Sequence, residues 1–240
     1  VSASVAFRRA LRRLAEVDGH DADPWGDGPA PEPATGDEQA TECAYLRSRA
    51  LLGLVMSDFE LRAEHGVAVA TLDAAARWAR VAGAAAVEVA VHGQRGLLEL
   101  RGGNHVAALE ALDAAVGHIE DAEPVDACVL LLNRGTLHLE LGRHEQAATD
   151  LEECARRAAA GGRTLLVVKA QHNLGYLSFL RGDLPAALAS MAQASRLEHG
   201  ASPAVALLDQ AQVLIEAGLL GEADSSLGRA AALFAEQRLG

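Results

Sequence analysis

The chain has 240 residues, 50% of them hydrophobic, and carries a formal net charge of −12. Only 3% of the residues are aromatic, whereas β-sandwiches and barrels need aromatic and β-branched residues for their strands. The acidic balance argues against binding of DNA or RNA, which requires clustered Lys and Arg. The composition therefore favours closely packed helices in a region that does not itself bind nucleic acid.

Hydropathy and cysteine usage bear on the compartment. The sequence has no apolar run of about 18 residues, which argues against a transmembrane helix and against membrane attachment. Cys43, Cys128 and Cys154 are odd in number and widely spaced, so they fit neither a disulfide framework nor a zinc site. We expect them to be buried as small apolar side chains, and the protein to be cytoplasmic.

The first predicted element is an amphipathic helix within residues 1–18. Phe7, Leu11 and Leu14 recur at the spacing of one helical face, with arginines opposite. Such a helix either touches a membrane or an acidic partner, or packs its apolar stripe on the rest of the protein. We favour packing, because the arginines of a short helix are commonly its solvated face.

Residues 19–39 are predicted to form a flexible acidic linker, because they are rich in Pro and Gly and lack apolar periodicity. Four residues coincide with the first, third, sixth and twelfth places of an EF-hand loop: Asp21, Asp23, Gly26 and Glu32. A tryptophan stands where an oxygen ligand is needed, and nearby prolines prevent the exit helix from starting. We therefore predict no calcium site here.

From residue 40 onward, a helical pattern repeats. Aligning the units by one alanine gives spacings of 36 to 40 residues between Ala68, Ala108, Ala147, Ala187 and Ala223. A helical unit repeated at this period cannot bury its apolar face alone and must stack on its neighbours. Residues 40–240 are therefore predicted to form one repeat domain.

Small residues recur at two further places in the unit. Twelve residues before the aligned alanine stand Gly96, Gly135, Gly175 and Ala211. A turn is predicted at Gly103, Gly142, Gly182 and Gly218. The first set allows two helices to cross closely, and the second supplies the left-handed backbone of a helix end. No phosphate-binding glycine motif occurs, so we interpret these residues as packing devices.

The segment "HNLGYLSFLRGDLPAALASMAQA", residues 172–194, resembles the tetratricopeptide repeat. Matching motif positions are Leu174, Gly175, Gly182, Asp183, Ala187 and Ala194. The resemblance covers residues 45–236. It implies an all-α fold, a right-handed α-solenoid of about five tetratricopeptide-like helical hairpins, preceded by the N-terminal helix and the linker. Because the period exceeds the family's 34 residues, we expect longer helices or longer connections.

A narrower resemblance concerns residues 172–188 and 207–240, whose sequences and order look like the repeat region of bacterial CHAT-domain proteins. A CHAT domain is a caspase-like peptidase module that follows the repeats in that family. The resemblance implies that this chain regulates a peptidase lying beyond or beside it. The alternative is the sensor region of a bacterial transcription regulator, since helical repeats also occur beside DNA-binding domains. A neighbouring reading frame with either module would distinguish the two.

The residues do not support catalysis. A caspase-like site needs a Cys activated by His in a glycine-rich setting, and none of the three cysteines has that context. The nine histidines are scattered without an HExxH pair, and no nucleophile elbow occurs. We therefore predict that the chain is not an enzyme and holds neither metal nor cofactor. The remaining function is a protein–protein interaction scaffold.

The family lines the concave face of its superhelix mainly with the first helix of each hairpin. The resemblance assigns this groove to Arg101, Asn133, Thr136, Lys169, His172, Asn173, Tyr176 and Gln212. It implies that the ligand is a peptide or protein segment. The carboxylate clamp of some relatives is matched only in part, because Gly93 and Leu97 stand where that clamp needs Lys and Asn.

Lys169, Asn173 and Tyr176 lie four and three residues apart, so we expect them close to one helical face. Asn133 of the preceding hairpin is expected to approach them. A cation, amides and an aromatic ring suit an acidic or carboxylate-bearing peptide. The alternative is that Asn133 and Asn173 only hydrogen-bond between helices. Lys169 is the only lysine in the chain, and it should have a carboxylate partner if it is buried.

Overall fold

The computed structural model describes residues 3–18, 38–62, 65–197 and 203–239, and within these ranges it contains helices and turns but no strand. The described α-helices are Ala3–Asp18 (α1), Glu38–Arg62 (α2), His65–Val81 (α3), Ala85–Arg101 (α4), His105–Val116 (α5), Pro124–Glu140 (α6), His144–Ala160 (α7), Thr164–Leu180 (α8), Leu184–Leu197 (α9), Pro203–Glu216 (α10) and Leu220–Leu239 (α11). A short 3₁₀ turn, Ile119–Asp121, separates α5 from α6. Residues 19–37 of the predicted linker, with the EF-hand coincidence, lie outside the described residues, whereas its last two residues already belong to α2.

The helices pack as hairpins that follow one another along the chain. The pairs α2 with α3, α4 with α5, α8 with α9, and α10 with α11 pack along their lengths. Helices α6, α7 and α8 have 17 residues each and are joined by tight turns, so the extra length of the repeat lies there in the helices. Helix α5 has only 12 residues, and the extra length of its unit lies in the connection to α6. The predicted all-α fold of sequential helical hairpins is confirmed.

The predicted turn glycines end the first helix of their hairpins. Gly103, Gly142, Gly182 and Gly218 all have φ between 67° and 81°. At Gly142 the amide donates to the Leu139 carbonyl at 3.1 Å, and the next amide, of Arg143, donates to the His138 carbonyl at 2.8 Å. This pair of bonds is a Schellman motif, which satisfies the last carbonyls of a helix and turns the chain back.

Two more glycines in this conformation connect one hairpin to the next. Gly83 follows α3 with φ 60°, and Gly162 follows α7 with φ 65°. Each is hydrogen-bonded in the same way as Gly142, for example through the Arg163 amide and the Ala158 carbonyl at 2.8 Å. The same glycine turn therefore serves inside hairpins and between them.

The aligned alanines and small residues lie in the helix crossings, as predicted. All five alanines are buried. Gly96 packs so closely on α5 that an added Cβ would lie 2.4 Å from Leu112 Cγ. At Gly175 the nearest atoms, on α9, would be 3.2 Å away. These glycines are in the register that the sequence indicates.

The chain forms two compact units, Val1–Leu130 and Leu131–Gly240, with the boundary inside α6. In the first unit, α1 packs along α2. Leu11 is buried in the core beside Leu51 and Leu54, and Phe7 lies against Gly53. The apolar stripe of α1 therefore packs on the repeats, as the favoured interpretation of this helix requires.

In the second unit, α7 packs on α8, and the hairpins α8–α9 and α10–α11 follow. Its core is formed by Leu151, Cys154, Leu177, Met191 and Val213, all buried. Among the described residues, every helix is too short or too polar to span a lipid bilayer.

Candidate peptide-binding face

Helix α8, the first helix of its hairpin, packs one side into the second unit and leaves another side exposed, partly through apolar residues. On α8, Val168, Gly175 and Leu177 are buried, and the first two lie seven residues apart. Lys169, Tyr176 and Leu180 have the spacing of another helical stripe, and all three are exposed. We call these three residues, with Asn173 between them, the α8 face.

One direct contact joins the predicted groove residues of two hairpins. The Asn173 side-chain amide donates to Thr136 Oγ1 at 2.9 Å, and Thr136 Oγ1 itself donates to the Leu132 carbonyl at 2.8 Å. Asn173 is half-buried and links α8 to α6. Its contact is with Thr136, which supports the alternative that this amide hydrogen-bonds between helices.

Lys169 is exposed and, with respect to the described residues, forms no ion pair. The condition under which it would need a carboxylate partner, burial, is therefore not met. Its side chain lies on the exposed side of α8. A cation in this state keeps its charge available for an external carboxylate.

Tyr176 supplies an exposed aromatic surface next to that cation. Its ring lies 6.1 Å from the ring of Phe179 with an interplanar angle of 31°, a tilted contact that orients both rings. Tyr176 is 39% exposed. An exposed aromatic ring held by a neighbour offers contact area at a low entropic cost.

On α10, the predicted residue Gln212 is exposed and donates to Glu216 Oε1 at 2.9 Å. Leu208 and Ile215 flank it on the same face and are also exposed. Sequence reasoning did not include these two apolar residues. The signal was present, since they lie four and three residues from Gln212 and therefore share its face.

The remaining predicted residues are not part of the contact between Asn173 and Thr136. Asn133 on α6 is half-buried. His172 is half-buried and already engaged in a contact within the structure. Arg101 is exposed at the end of α4 in the first unit, so it belongs to a different compact unit from the rest. The assignment of all eight residues to ligand binding stays a prediction.

A buried charged cluster lies between α6 and α7 and was not predicted. Arg134 Nε and Nη2 donate to the two carboxylate oxygens of Asp150, each at 2.7 Å. His138 Nε2 lies 3.9 Å from Asp150 Oδ2. Asp150 and His138 are buried. The cluster lies where α6 and α7 cross.

The cysteines lie where the sequence predicts them, since Cys43, Cys128 and Cys154 are all buried. Within the described ranges, no group of three or more His, Cys, Asp or Glu side chains is placed to hold a metal ion.

Among solved structures, the crystal structure of BtubC (BKLC) from P. vanneervenii is similar to this chain, with a TM-score of 0.74 and 15% sequence identity. The likeness covers 98% of this chain and 91% of that chain. No protein-family model matches the chain, and neither does any curated protein. At this identity the likeness shows the fold alone, and that fold is tetratricopeptide-like and all-α.

Proposed function

We propose that this chain is a protein-interaction scaffold that binds a peptide or protein segment on the α8 face. The observation that carries the proposal is the exposure of Lys169, Tyr176 and Leu180 on one side of a helix whose other side is buried. A cation beside apolar and aromatic surface suits a segment that combines an acidic group with apolar side chains.

Helix α10 offers a second exposed face in the same unit. Leu208 and Ile215 are exposed beside Gln212, so α10 adds apolar contact area and an amide. Exposed apolar residues on one face are typical of protein-binding surfaces. The hydrogen bond from Asn173 to Thr136 ties α8 to α6 and so supports the rigid presentation of the α8 face. Asn173 itself acts as a positioning residue here.

Selection from a random peptide library on the purified chain tests the proposal. We expect enrichment of peptides that contain Asp, Glu or a C-terminal carboxylate beside apolar residues. For a selected peptide, Lys169→Ala should weaken binding about tenfold, because a charge-assisted hydrogen bond contributes about 1.5–3 kcal/mol. Salt should weaken the wild type more than this variant, because the variant lacks the charge that salt screens.

The two tyrosines of the chain provide a matched control. Tyr176 is 39% exposed on the α8 face, and Tyr45 is 42% exposed on α2 in the other unit. Tyr176→Ala should weaken binding of the selected peptide, and Tyr45→Ala should leave it unchanged. Equal effects of the two variants, with helical circular dichroism preserved, would place the binding site elsewhere.

The regulatory role toward a CHAT-type peptidase, which the sequence resemblance implies, rests on that resemblance alone. It is a proposal about the partner and not about the face. Expression with a caspase-like module from the same genomic neighbourhood, followed by co-purification, tests it. Loss of co-purification in Lys169→Ala would connect this partner to the α8 face.

A further inference from the structure

Helix α8 exposes one row of residues along its whole length. The row consists of Leu165, Lys169, Tyr176 and Leu180, which we call the α8 stripe. Spacings of four, seven and four residues keep the four side chains on one side of the helix. Leu165 is 48% exposed, and it extends the α8 face to the first turn of α8.

The stripe is exposed although α8 lies among other helices. Helices α7, α9 and α10 all contact α8. Buried residues border the stripe on both sides, Val168 and Gly175 on one and Ala170 and Leu177 on the other. The stripe is therefore a single row, about 22 Å long at 1.5 Å per residue. A ligand that lies along this row covers all four residues, whereas a ligand that crosses it covers one or two.

The spacing of the stripe distinguishes a helical ligand from an extended one. Measured from Leu165 at 1.5 Å per residue, the other three residues lie about 6, 16 and 22 Å along the helix axis. At about 3.3 Å per residue, an extended segment reaches these places with the residues that are about two, five and seven positions after its first. Successive residues of a strand point to opposite sides, so one pair would face α8 and the other pair would face away.

A polyproline II ligand does not match the stripe either. With three residues per turn, its residues at the same places fall on three different sides. A ligand α-helix has the same rise and period as α8, so residues at spacings of four, seven and four lie on one of its sides. One side of such a helix meets the whole stripe.

The charge around the stripe favours an acidic ligand. Residues 163–181 include Arg163, Lys169 and Arg181 but neither Asp nor Glu, in a chain whose net charge is −12. Arg181 donates to the His144 carbonyl at 3.1 Å, so the cation within the stripe is Lys169. An Asp or Glu opposite Lys169 would form a charge-assisted contact, and the two arginines add to the positive potential around it.

We propose that the partner of the α8 face is an acidic amphipathic α-helix that packs lengthwise along the α8 stripe. Its apolar residues meet Leu165, Tyr176 and Leu180, and an Asp or Glu meets Lys169. This inference rests on the proposed function, because it names the class of ligand for the same face. A helix that spans the stripe needs about 16 residues. Isolated helices of this length are marginal in water, so the segment becomes helical on binding.

Selection from two peptide libraries on the purified chain tests the proposal, with peptides of about 18 residues (about 27 Å when helical). The first library varies one helical side in a background of alanine and glutamine, which favours helices. The second varies the same number of residues and has proline at every third place, which excludes an α-helix. We expect the first library alone to yield peptides whose binding Lys169→Ala weakens.

The two libraries separate failure of the inference from failure of the proposed function. If Lys169-dependent peptides from the second library bind as tightly as those from the first, the proposed function stands and the helical ligand is overturned. If neither library yields a Lys169-dependent peptide, both are overturned.

A variant at the far end of the stripe tests the lengthwise arrangement. For a peptide from the first library, Leu165→Ser should weaken binding about fivefold, because less apolar area is buried. The matched control is Leu141→Ser, an exposed leucine in the turn after α6 of the same unit, and it should leave binding unchanged. Equal effects of the two variants overturn the lengthwise arrangement.

The conformation of the bound peptide is tested in the peptide itself. Its circular dichroism should gain helical signal when the chain is added. Proline in place of a central alanine, on the side away from the chain, should weaken binding about tenfold or more, because proline disrupts a helix interior. Binding that tolerates this proline, or that adds no helical signal, overturns the proposal.

Discussion

The α4–α5 hairpin and the region where α6 meets α7 each have an arginine at the same place in the repeat. The two arginines form different contacts. Arg95 precedes Gly96, and Arg134 precedes Gly135. Arg95 turns back to Asp73 on α3 and pairs with it on the surface. Arg134 instead pairs with Asp150 on α7, inside its own crossing.

The environments of the two carboxylates differ more than those of the arginines. The Asp73 side chain is 52% exposed, whereas that of Asp150 is 4% exposed. Exposed pairs contribute about 0–1 kcal/mol. Breaking a buried pair by removing one partner costs about 3–5 kcal/mol, because the other charge is left without compensation. The comparison indicates that the burial of the aspartate, and not the presence of an arginine, determines how much the pair contributes to the free energy of unfolding.

The largest effect is expected for Asp150→Ser. Removing this carboxylate leaves the buried end of Arg134 without its two hydrogen bonds. We expect a loss near the lower end of about 3–5 kcal/mol, since Arg134 keeps some exposure. Urea unfolding followed by circular dichroism measures this loss.

The control for that prediction is supplied by the neighbouring hairpin. In that hairpin, the places of Arg134 and Asp150 in the repeat are held by Leu174 and Ser190, which are both uncharged. Arg134→Leu combined with Asp150→Ser should therefore recover most of the stability lost by Asp150→Ser alone. A double variant as unstable as the single one would show that the carboxylate acts through something other than Arg134.

The next largest effect concerns the glycines at the helix crossings, of which Gly96 follows Arg95 and Gly175 follows Leu174. A Cβ at Gly96 lies 2.4 Å from Leu112 Cγ, which is buried, whereas a Cβ at Gly175 lies 3.2 Å from its nearest neighbours. Replacing Gly by Ala within a helix gains about 1 kcal/mol, and overpacking costs about 1–3 kcal/mol. Gly96→Ala should therefore destabilise by up to about 2 kcal/mol, and Gly175→Ala should be close to neutral. Equal melting temperatures of the two variants would contradict this interpretation of how closely the helices cross.

Sequence reasoning located these glycines because a missing side chain recurs at a fixed offset, and repetition makes that signal strong. It did not find the Arg134–Asp150 pair, because the two residues are 16 positions apart and meet only when α6 and α7 cross. The pairing of Arg95 with Asp73 likewise depends on how the helices pack in the tertiary structure. The predicted groove was found only as positions on helices, since the exposure of Lys169 and the Thr136 contact of Asn173 depend on which side of each helix is buried.

A smaller effect is expected for Asp73→Ala, the surface counterpart of Asp150. Both partners of its pair reach water, so the arginine is hydrated when the carboxylate is removed. The expected loss is below about 1 kcal/mol. It should shrink further in 1 M salt, where charges are screened within about 3 Å. A loss as large as that of Asp150→Ser would mean that burial does not set the difference between the two pairs.

The smallest effect lies one turn along α7 from Asp150, at Glu153. Arg156 and Arg157 donate hydrogen bonds to this carboxylate and lower its pKa from 4.5 to about 2. Since the folded pKa is below the unfolded one, the stabilisation is present above pH 4.5 and is lost as the pH falls toward 2. The pairs lie on the surface, where helical neighbours contribute about 0.2–0.5 kcal/mol each. Glu153→Gln should therefore lower the free energy of unfolding by less than about 1 kcal/mol at pH 7, and the difference from the wild type should diminish below pH 4.5. Urea titrations at pH 7, 5.5 and about 4 (bracketing the ordinary carboxyl pKa) measure it. A difference that grows on acidification would have the wrong sign for a carboxylate whose pKa is lowered by folding.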